Sequence, residues 1–299
     1  MNKISIEKYL LNAASYWPES HYRNVKKIDR FIEKGCGAKK KSFRESYIRD
    51  VVALSELRLR FKSPHLYIVN AGSSGSHWLE AMLGFLPGFH NGGEIYLPPE
   101  IKMALSNMGD REANLFLDAL YLVHCGGIYP DMLNAFLSNS AHLVKHQGIS
   151  QYSLNKKTIL LTRNPVDIAM SRTFRKDEYK NDVAPNATDI EYLEKNCLYV
   201  ENFYKNIEID SFDHVVRYES LVESPKEHLK KVVDMLALEA SEEAIDNAIK
   251  VTSKDEIKKS VESGSVAATN VYLGEKKNYQ WAQSYTQERL RDVIASFGY

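Results

Sequence analysis

Four short apolar runs punctuate the chain: "LYIV" (66–69), "AHLVKH" (141–146), "TILLT" (158–162) and "HVVRY" (214–218). Their length and β-branched content predict strands. Between and after them lie longer segments with helical spacing of apolar positions: "WLEAMLGFL", "NLFLDALYLV", "DIAMSRTFRK", "DIEYLEKNCLYVENFYKN" and "PKEHLKKVVDMLAL". Strand–helix alternation with nearly continuous apolar strands predicts an α/β three-layer sandwich, a central parallel sheet flanked by helices on both faces. Sheets of this kind bind ligands at the carboxyl ends of their strands. Residues 1–62 have a different texture, helical throughout, in "IEKYLLNAASYW", "VKKIDRFIEKG" and "SYIRDVVALSELRLRF". The expected organisation is a helical N-terminal extension (1–62) packed on a core of residues 63–299, one domain overall.

Composition narrows the function classes. The 299 residues contain 39 basic and 39 acidic side chains, so no net field draws the chain to nucleic acid or to an anionic membrane. Any anion site must be local. Three widely spaced cysteines, Cys36, Cys125 and Cys197, form no CxxC pair and argue against a disulfide framework or a zinc site. The first twenty residues carry no long apolar run, and no stretch approaches the length that spans a bilayer. The expectation is a soluble cytoplasmic protein with no metal, as a monomer or homodimer.

"YIVNAGSSGSHWL" (67–79) raises the first chemical question. A strand runs into a loop of Gly and Ser and then into a helix starting near Ser76 or His77. Gly72 and Gly75 let the backbone turn tightly and approach an anion. Successive N–H groups there can form a nest, and the helix adds its positive end. The hydroxyls of Ser73, Ser74 and Ser76 are further donors. The loop looks like a P-loop, yet it lacks Gly-Lys-Ser/Thr and so has no phosphate-binding lysine. Alone, such a loop reads equally as a tight connection.

"TILLTRNPVDIAMSRTFRK" is more specific. The strand ends at Arg163. Asn164 can cap a helix, Pro165 suits its first turn, and Asp167 complements the helix dipole. Ser171 follows Arg163 by about two helical turns. This sets a guanidinium at a strand tip and a hydroxyl on the adjoining helix, and arginine suits bidentate recognition of phosphate. The blander alternative pairs Arg163 with an acidic neighbour and leaves Ser171 in packing.

Taken together, the two motifs resemble the sulfotransferases that use 3′-phosphoadenosine 5′-phosphosulfate (PAPS). Gly72-Ser73-Ser74-Gly75-Ser76-His77-Trp78 is similar to that family's 5′-phosphosulfate loop, usually Pro-Lys-Ser-Gly-Thr-Thr-Trp. Arg163-Asn164-Pro165-Val166-Asp167-Ile168-Ala169-Met170-Ser171 matches its 3′-phosphate motif, Arg-Asn-Pro-x-Asp-x-Ala-x-Ser. Downstream, "VVRYESLVESPKEHLKKVVDMLAL" resembles a family segment whose tyrosine lies near the adenine, here Tyr218. "VTSKDEIKK" resembles a Thr-Ser-Phe segment that brings Thr252 to the nucleotide, with Lys254 where the family has Phe. "NYQWAQSYTQERLRDVIASFGY" resembles the closing segment, with Trp281 in place of its tryptophan. The resemblance covers roughly 65–299. It implies a P-loop-like nucleotide-binding fold, PAPS as co-substrate, 3′,5′-ADP (PAP) as product, and no metal.

Two departures stand out. The family's loop lysine is Ser73 here, and losing a cation beside the leaving group costs on the order of 10²-fold or more. Lys145 is the first candidate substitute and His77 the second. The family's C-terminal Arg-Lys-Gly clamp is replaced by "GEKKNYQW", where Lys276 and Lys277 can supply charge. For the general base, "HLVKHQG" resembles the family's Lys-x-His strand end one residue short, which points to His146, with Glu94 in "HNGGEIYLP" as the alternative. Histidine is the side chain most often used for this proton near neutral pH. The expected reaction is in-line sulfuryl transfer to a hydroxyl or amine of a small metabolite. A non-catalytic 3′,5′-ADP-binding module and a P-loop nucleotide kinase are the rival readings.

Overall fold

Strand β1 (His65–Asn70) is buried at every position, the pattern of a strand covered on both faces. The computed structural model describes residues 49, 52–57, 65–94, 103, 105, 107–124, 135–140, 156–174, 180–181, 184–262 and 279–299. After β1 come α1 (Ser76–Gly84), β2 (Phe89–Glu94), α2 (Asp110–His124), β3 (Ala135–Ser140), β4 (Lys156–Thr162) and α3 (Pro165–Phe174). Then follow α4 (Asp189–Lys205), β5 (His214–Arg217), α5 (Tyr218–Glu223), α6 (Pro225–Met235), α7 (Glu242–Val251), α8 (Lys254–Glu262), α9 (Gln280–Arg289) and α10 (Arg291–Ser296).

The chain divides into two compact units. One comprises Met1–Tyr67, Gly88–Ser140 and Lys145–Lys157; the other comprises Ile68–Pro87, Ala141–Val144 and Thr158–Tyr299. In the first, β2 pairs parallel with β3, Phe89 opposite Ala135, with an irregularity between Asn91 and Glu94. The helix α2 separates them in sequence and buries Ala113, Phe116, Leu117 and Ala119. Its Asp118 Oδ1 lies 2.7 Å from His65 Nε2, while His65 Nδ1 lies 3.1 Å from the Tyr67 hydroxyl. All three residues are buried, so each polar group there needs a partner.

The second unit carries the sheet that positions the site. It holds residues 68–70 of β1, 158–162 of β4 and all of β5, in the order β1–β4–β5, as a three-strand parallel sheet flanked by helices. The β4–β5 register sets Ile159 opposite His214 and Thr162 opposite Arg217. Ile68, Ile159, Leu160, Leu161 and Val216 are fully excluded from water, which gives a parallel sheet its stability. The backbone N–H of Thr158 and its hydroxyl both donate to Asp213 Oδ2, at 2.8 and 3.1 Å, and so tie the entry of β4 to that of β5. Helix α4 packs on α3 and α9, and α7 packs on α1. A capping box starts α4. Glu191 N–H donates to Thr188 Oγ1, and Thr188 N–H donates back to Glu191 Oε2.

The α/β architecture expected from the pattern is present, with local differences. Strands β2 and β3 were not among the expected ones. "FHNGGE" holds two glycines and "AFLSNS" three polar residues, and neither looks like a strand until a neighbour pairs with it. Tyr218, expected to end a strand, opens helix α5 instead. The expected strand 141–146 lies outside the described residues. Of the expected N-terminal helices, residues 52–57 are helical.

Candidate active site

The loop from Ala71 to Gly75 joins β1 to α1 through three left-handed residues. Gly72 has φ 73°, Ser73 φ 53° and Gly75 φ 89°. Glycine adopts this region without penalty, whereas Ser73 holds it at a cost of roughly 1–2 kcal/mol. Strain of this kind in a serine persists only where the surroundings over-determine it.

Those surroundings are two arginines. Arg163, at the tip of β4, donates from Nη1 to the Ser73 carbonyl at 2.9 Å. Arg172, on α3, donates from Nη1 to the Ala71 carbonyl at 3.2 Å. A trans peptide points its N–H opposite to its carbonyl. Gripping the Ser73 carbonyl therefore turns the Ser74 N–H away from Arg163. Gly72 N–H is used internally, donating to Asn70 Oδ1 at 2.7 Å, and the buried Ser74 hydroxyl donates to the Gly72 carbonyl at 3.2 Å. The Gly75 carbonyl accepts from Trp78 and Leu79 and so starts α1. Among the described residues, the N–H groups of Ser74, Gly75 and Ser76 have no protein acceptor. Three consecutive free donors at a helix N-terminus form an anion cradle.

Further contacts hold Arg163. Its Nη2 is 3.5 Å from Asp167, and its guanidinium carbon lies 4.6 Å from the Tyr218 ring centroid. Its Nε, by contrast, is buried with no hydrogen-bond partner among the described residues. Its backbone N–H donates to the Tyr204 hydroxyl at 3.1 Å, and that hydroxyl donates to the Arg163 carbonyl at 2.5 Å. Burial pushes the Tyr204 phenol far up from its ordinary pKa, so it remains a donor. Asn164 caps α3 through Oδ1, which accepts from Val166 N–H at 2.9 Å. The Asn164 N–H donates to Glu219 Oε1 at 2.9 Å. The expected cap is thus present. The acidic neighbour of the blander alternative is present too, but Asp167 is about half exposed and its pairing with Arg163 is correspondingly weak.

Aromatic side chains close one flank. Trp78 and Tyr218 meet edge to face, with centroids 6.3 Å apart. Trp78 Nε1 donates to the Thr252 carbonyl at 3.1 Å. The Thr252 hydroxyl is turned into its own helix, bonded to the Ala248 carbonyl at 2.7 Å. Its backbone, through that carbonyl, is therefore what meets Trp78. A Cβ at Gly75 would collide with the Tyr218 ring, so glycine is required there for close approach as well as for φ. Beside the tip of β4, the Tyr299 hydroxyl donates to Thr162 Oγ1 at 2.9 Å. Arg217 Nη1 and Nη2 donate to the carbonyls of Gly298 and Phe297 at 3.1 and 2.6 Å.

Most sequence-expected residues thus lie within the second unit. Ser73, Gly75, Trp78, Arg163, Tyr218 and Thr252 form one continuous set of contacts. Ser74 and Ser76 line the same loop and α1 start, and Ser171 sits on α3 beside Arg172. His77 is half exposed with Nδ1 3.6 Å from Glu80. Glu94 ends β2 in the first unit. Lys145, His146, Lys276 and Lys277 lie outside the described residues. The sequence reading missed Arg172, Tyr204 and Glu219. Arg172 and Glu219 each directly follow a residue it named, and adjacency was the available signal.

A sulfotransferase domain family model matches residues 63–281. Among solved structures, mouse sulfotransferase SULT7A1 complexed with PAP is 16% identical, with 79% of this chain and 84% of that one covered and a TM-score of 0.47. The sulfotransferase domain from the curacin biosynthetic pathway is 15% identical, covering 79% and 98%, with a TM-score of 0.46. Sulfotransferase STF1 from Mycobacterium tuberculosis is 9% identical, covering 98% and 99%, with a TM-score of 0.44. No curated protein matches the chain. The family match spans well over half of the chain and takes in the β1–α1 loop, the Arg163–Ser171 segment and Tyr218, and the chain therefore belongs to the sulfotransferase domain family.

Proposed function

We propose that this sulfotransferase moves the sulfuryl group of PAPS to a hydroxyl or amine of a small metabolite and releases 3′,5′-ADP. Bound PAPS supplies an activated sulfuryl group; the chain supplies positioning and charge, as in phosphoryl transfer. The N–H groups of Ser74, Gly75 and Ser76, with the positive end of α1, receive the 5′-phosphosulfate. Arg163 and Ser171 hold the 3′-phosphate, and that remote grip orients the reacting end. Trp78 and Tyr218 contact the adenine, with Thr252 fixing Trp78. His146 removes the acceptor proton, with Glu94 as the alternative base. Lys276 and Lys277 add charge at the 3′-phosphate.

The observation that carries this reading is the row of free N–H donors at Ser74–Ser76, held by arginines at the loop's carbonyls. Serine in place of the loop lysine at position 73 favours one second reading, a module that binds 3′,5′-ADP without turnover. The test is transfer of labelled sulfate from PAPS to a panel of small hydroxyl and amine acceptors, with no magnesium added. Transfer supports the enzyme, and 3′,5′-ADP binding with no transfer to any acceptor supports the module. Magnesium-dependent ATP binding in place of either would overturn both.

A further inference from the structure

Arg172 is the second guanidinium on the loop, and its surroundings differ from those of Arg163. Its Nε donates to Asn196 Oδ1 at 3.2 Å and its Nη1 to the Ala71 carbonyl at 3.2 Å. Its guanidinium carbon lies 4.1 Å from the Tyr199 ring centroid. Asn196 is itself fixed, with Nδ2 donating to Thr173 Oγ1 at 3.1 Å and to the Tyr192 carbonyl at 3.0 Å. The guanidinium is therefore held on three sides by rigid neighbours. Arg163 has Asp167 as a counter-ion. Among the described residues, no carboxylate pairs with Arg172, and its Nη2 has no protein partner. A half-buried cation with no counter-ion is costly to hold in place unless an anion visits it.

Resting on the PAPS reading above, we propose that Arg172 is the cation of the phosphosulfate loop. It fixes the Ala71 peptide through Nη1 and sets its unpaired charge against the 5′ end of the nucleotide, the role left open by serine at position 73. In this account Arg172 is a positioning residue for the loop and a charge partner for the 5′-phosphate, while Arg163 serves the 3′-phosphate. The two arginines divide the nucleotide between them, and that division is what an experiment can read.

Calorimetry on the full chain compares two probes, 3′,5′-ADP and adenosine 3′-phosphate, which differ only in the 5′-phosphate. Arg172→Gln is expected to weaken 3′,5′-ADP about 10- to 100-fold, the scale of a charged hydrogen bond. Its affinity for adenosine 3′-phosphate should stay within about twofold of wild type. Arg172→Lys keeps the charge without the planar fork and should restore part of the loss, again on 3′,5′-ADP alone; it carries the same comparison should the glutamine variant fail to fold. Arg163→Ala should weaken both probes. Equal losses on the two probes, or no loss on either, from Arg172→Gln or Arg172→Lys would overturn the assignment of Arg172 while leaving the nucleotide reading standing. Failure of the wild-type protein to bind 3′,5′-ADP would overturn the nucleotide reading itself and the Arg172 assignment with it.

Discussion

Replacing Gly75 with alanine puts a methyl group where the Tyr218 ring already lies. A Cβ at position 75 meets Tyr218 Cδ2 and, at 2.5 Å, Cε2. Two costs follow. Alanine at φ 89° loses roughly 1–2 kcal/mol in the left-handed region. Forcing the ring aside adds an overpacking cost of about 1–3 kcal/mol, giving about 2–5 kcal/mol altogether. The ring cannot move freely, because Arg163 stacks on it and Trp78 meets it edge to face. Denaturant unfolding of Gly75→Ala, Tyr218→Ala and the double variant separates the two costs. With the ring gone, only the backbone cost of alanine remains, so the double variant should be more stable than the sum of the singles by about 1–3 kcal/mol. Additivity within about 0.5 kcal/mol would refute the claim that close approach to Tyr218, rather than φ alone, demands glycine. The Gly75→Ala variant should also bind 3′,5′-ADP more weakly, since the displaced ring carries both Arg163 and Trp78.

Three further outcomes are expected. Arg163→Ala should weaken 3′,5′-ADP binding by about 1.5–3 kcal/mol in calorimetry, and an unchanged affinity would remove it from the phosphate clamp. His146→Ala should lower turnover by about 10²–10⁴-fold with nucleotide affinity kept; a near-normal rate would shift the proton transfer to Glu94. At alkaline pH, burial pushes the Tyr299 phenol up to about 12, so the fold favours the neutral phenol. That stabilisation is complete below pH 10, the phenol's ordinary value, and is lost as pH rises from there to about 12. The urea midpoint of wild type should therefore fall more steeply across that window than that of Tyr299→Phe, and parallel curves would contradict the assignment.

The features legible in the chain alone are those that depend on neighbours in sequence. Buried strands read as unbroken apolar runs, and Asn164-Pro165 announced the start of α3 because a cap acts within its first turn. The β1–α1 loop and the Arg163–Ser171 spacing were legible because the anion binding proposed there would use consecutive backbone groups and a helical repeat. What tertiary structure decided spans long separations. Arg163 reaches the Ser73 carbonyl across 90 residues, Arg172 reaches Ala71 across 101, and Thr252 holds Trp78 across 174. The contact of the Thr252 carbonyl with Trp78 and the strands β2 and β3 belong to the same class. Periodicity and caps report the energetics of adjacent residues. A contact between distant ones leaves no local trace, because its free energy is realised only when the sheet brings the two segments together.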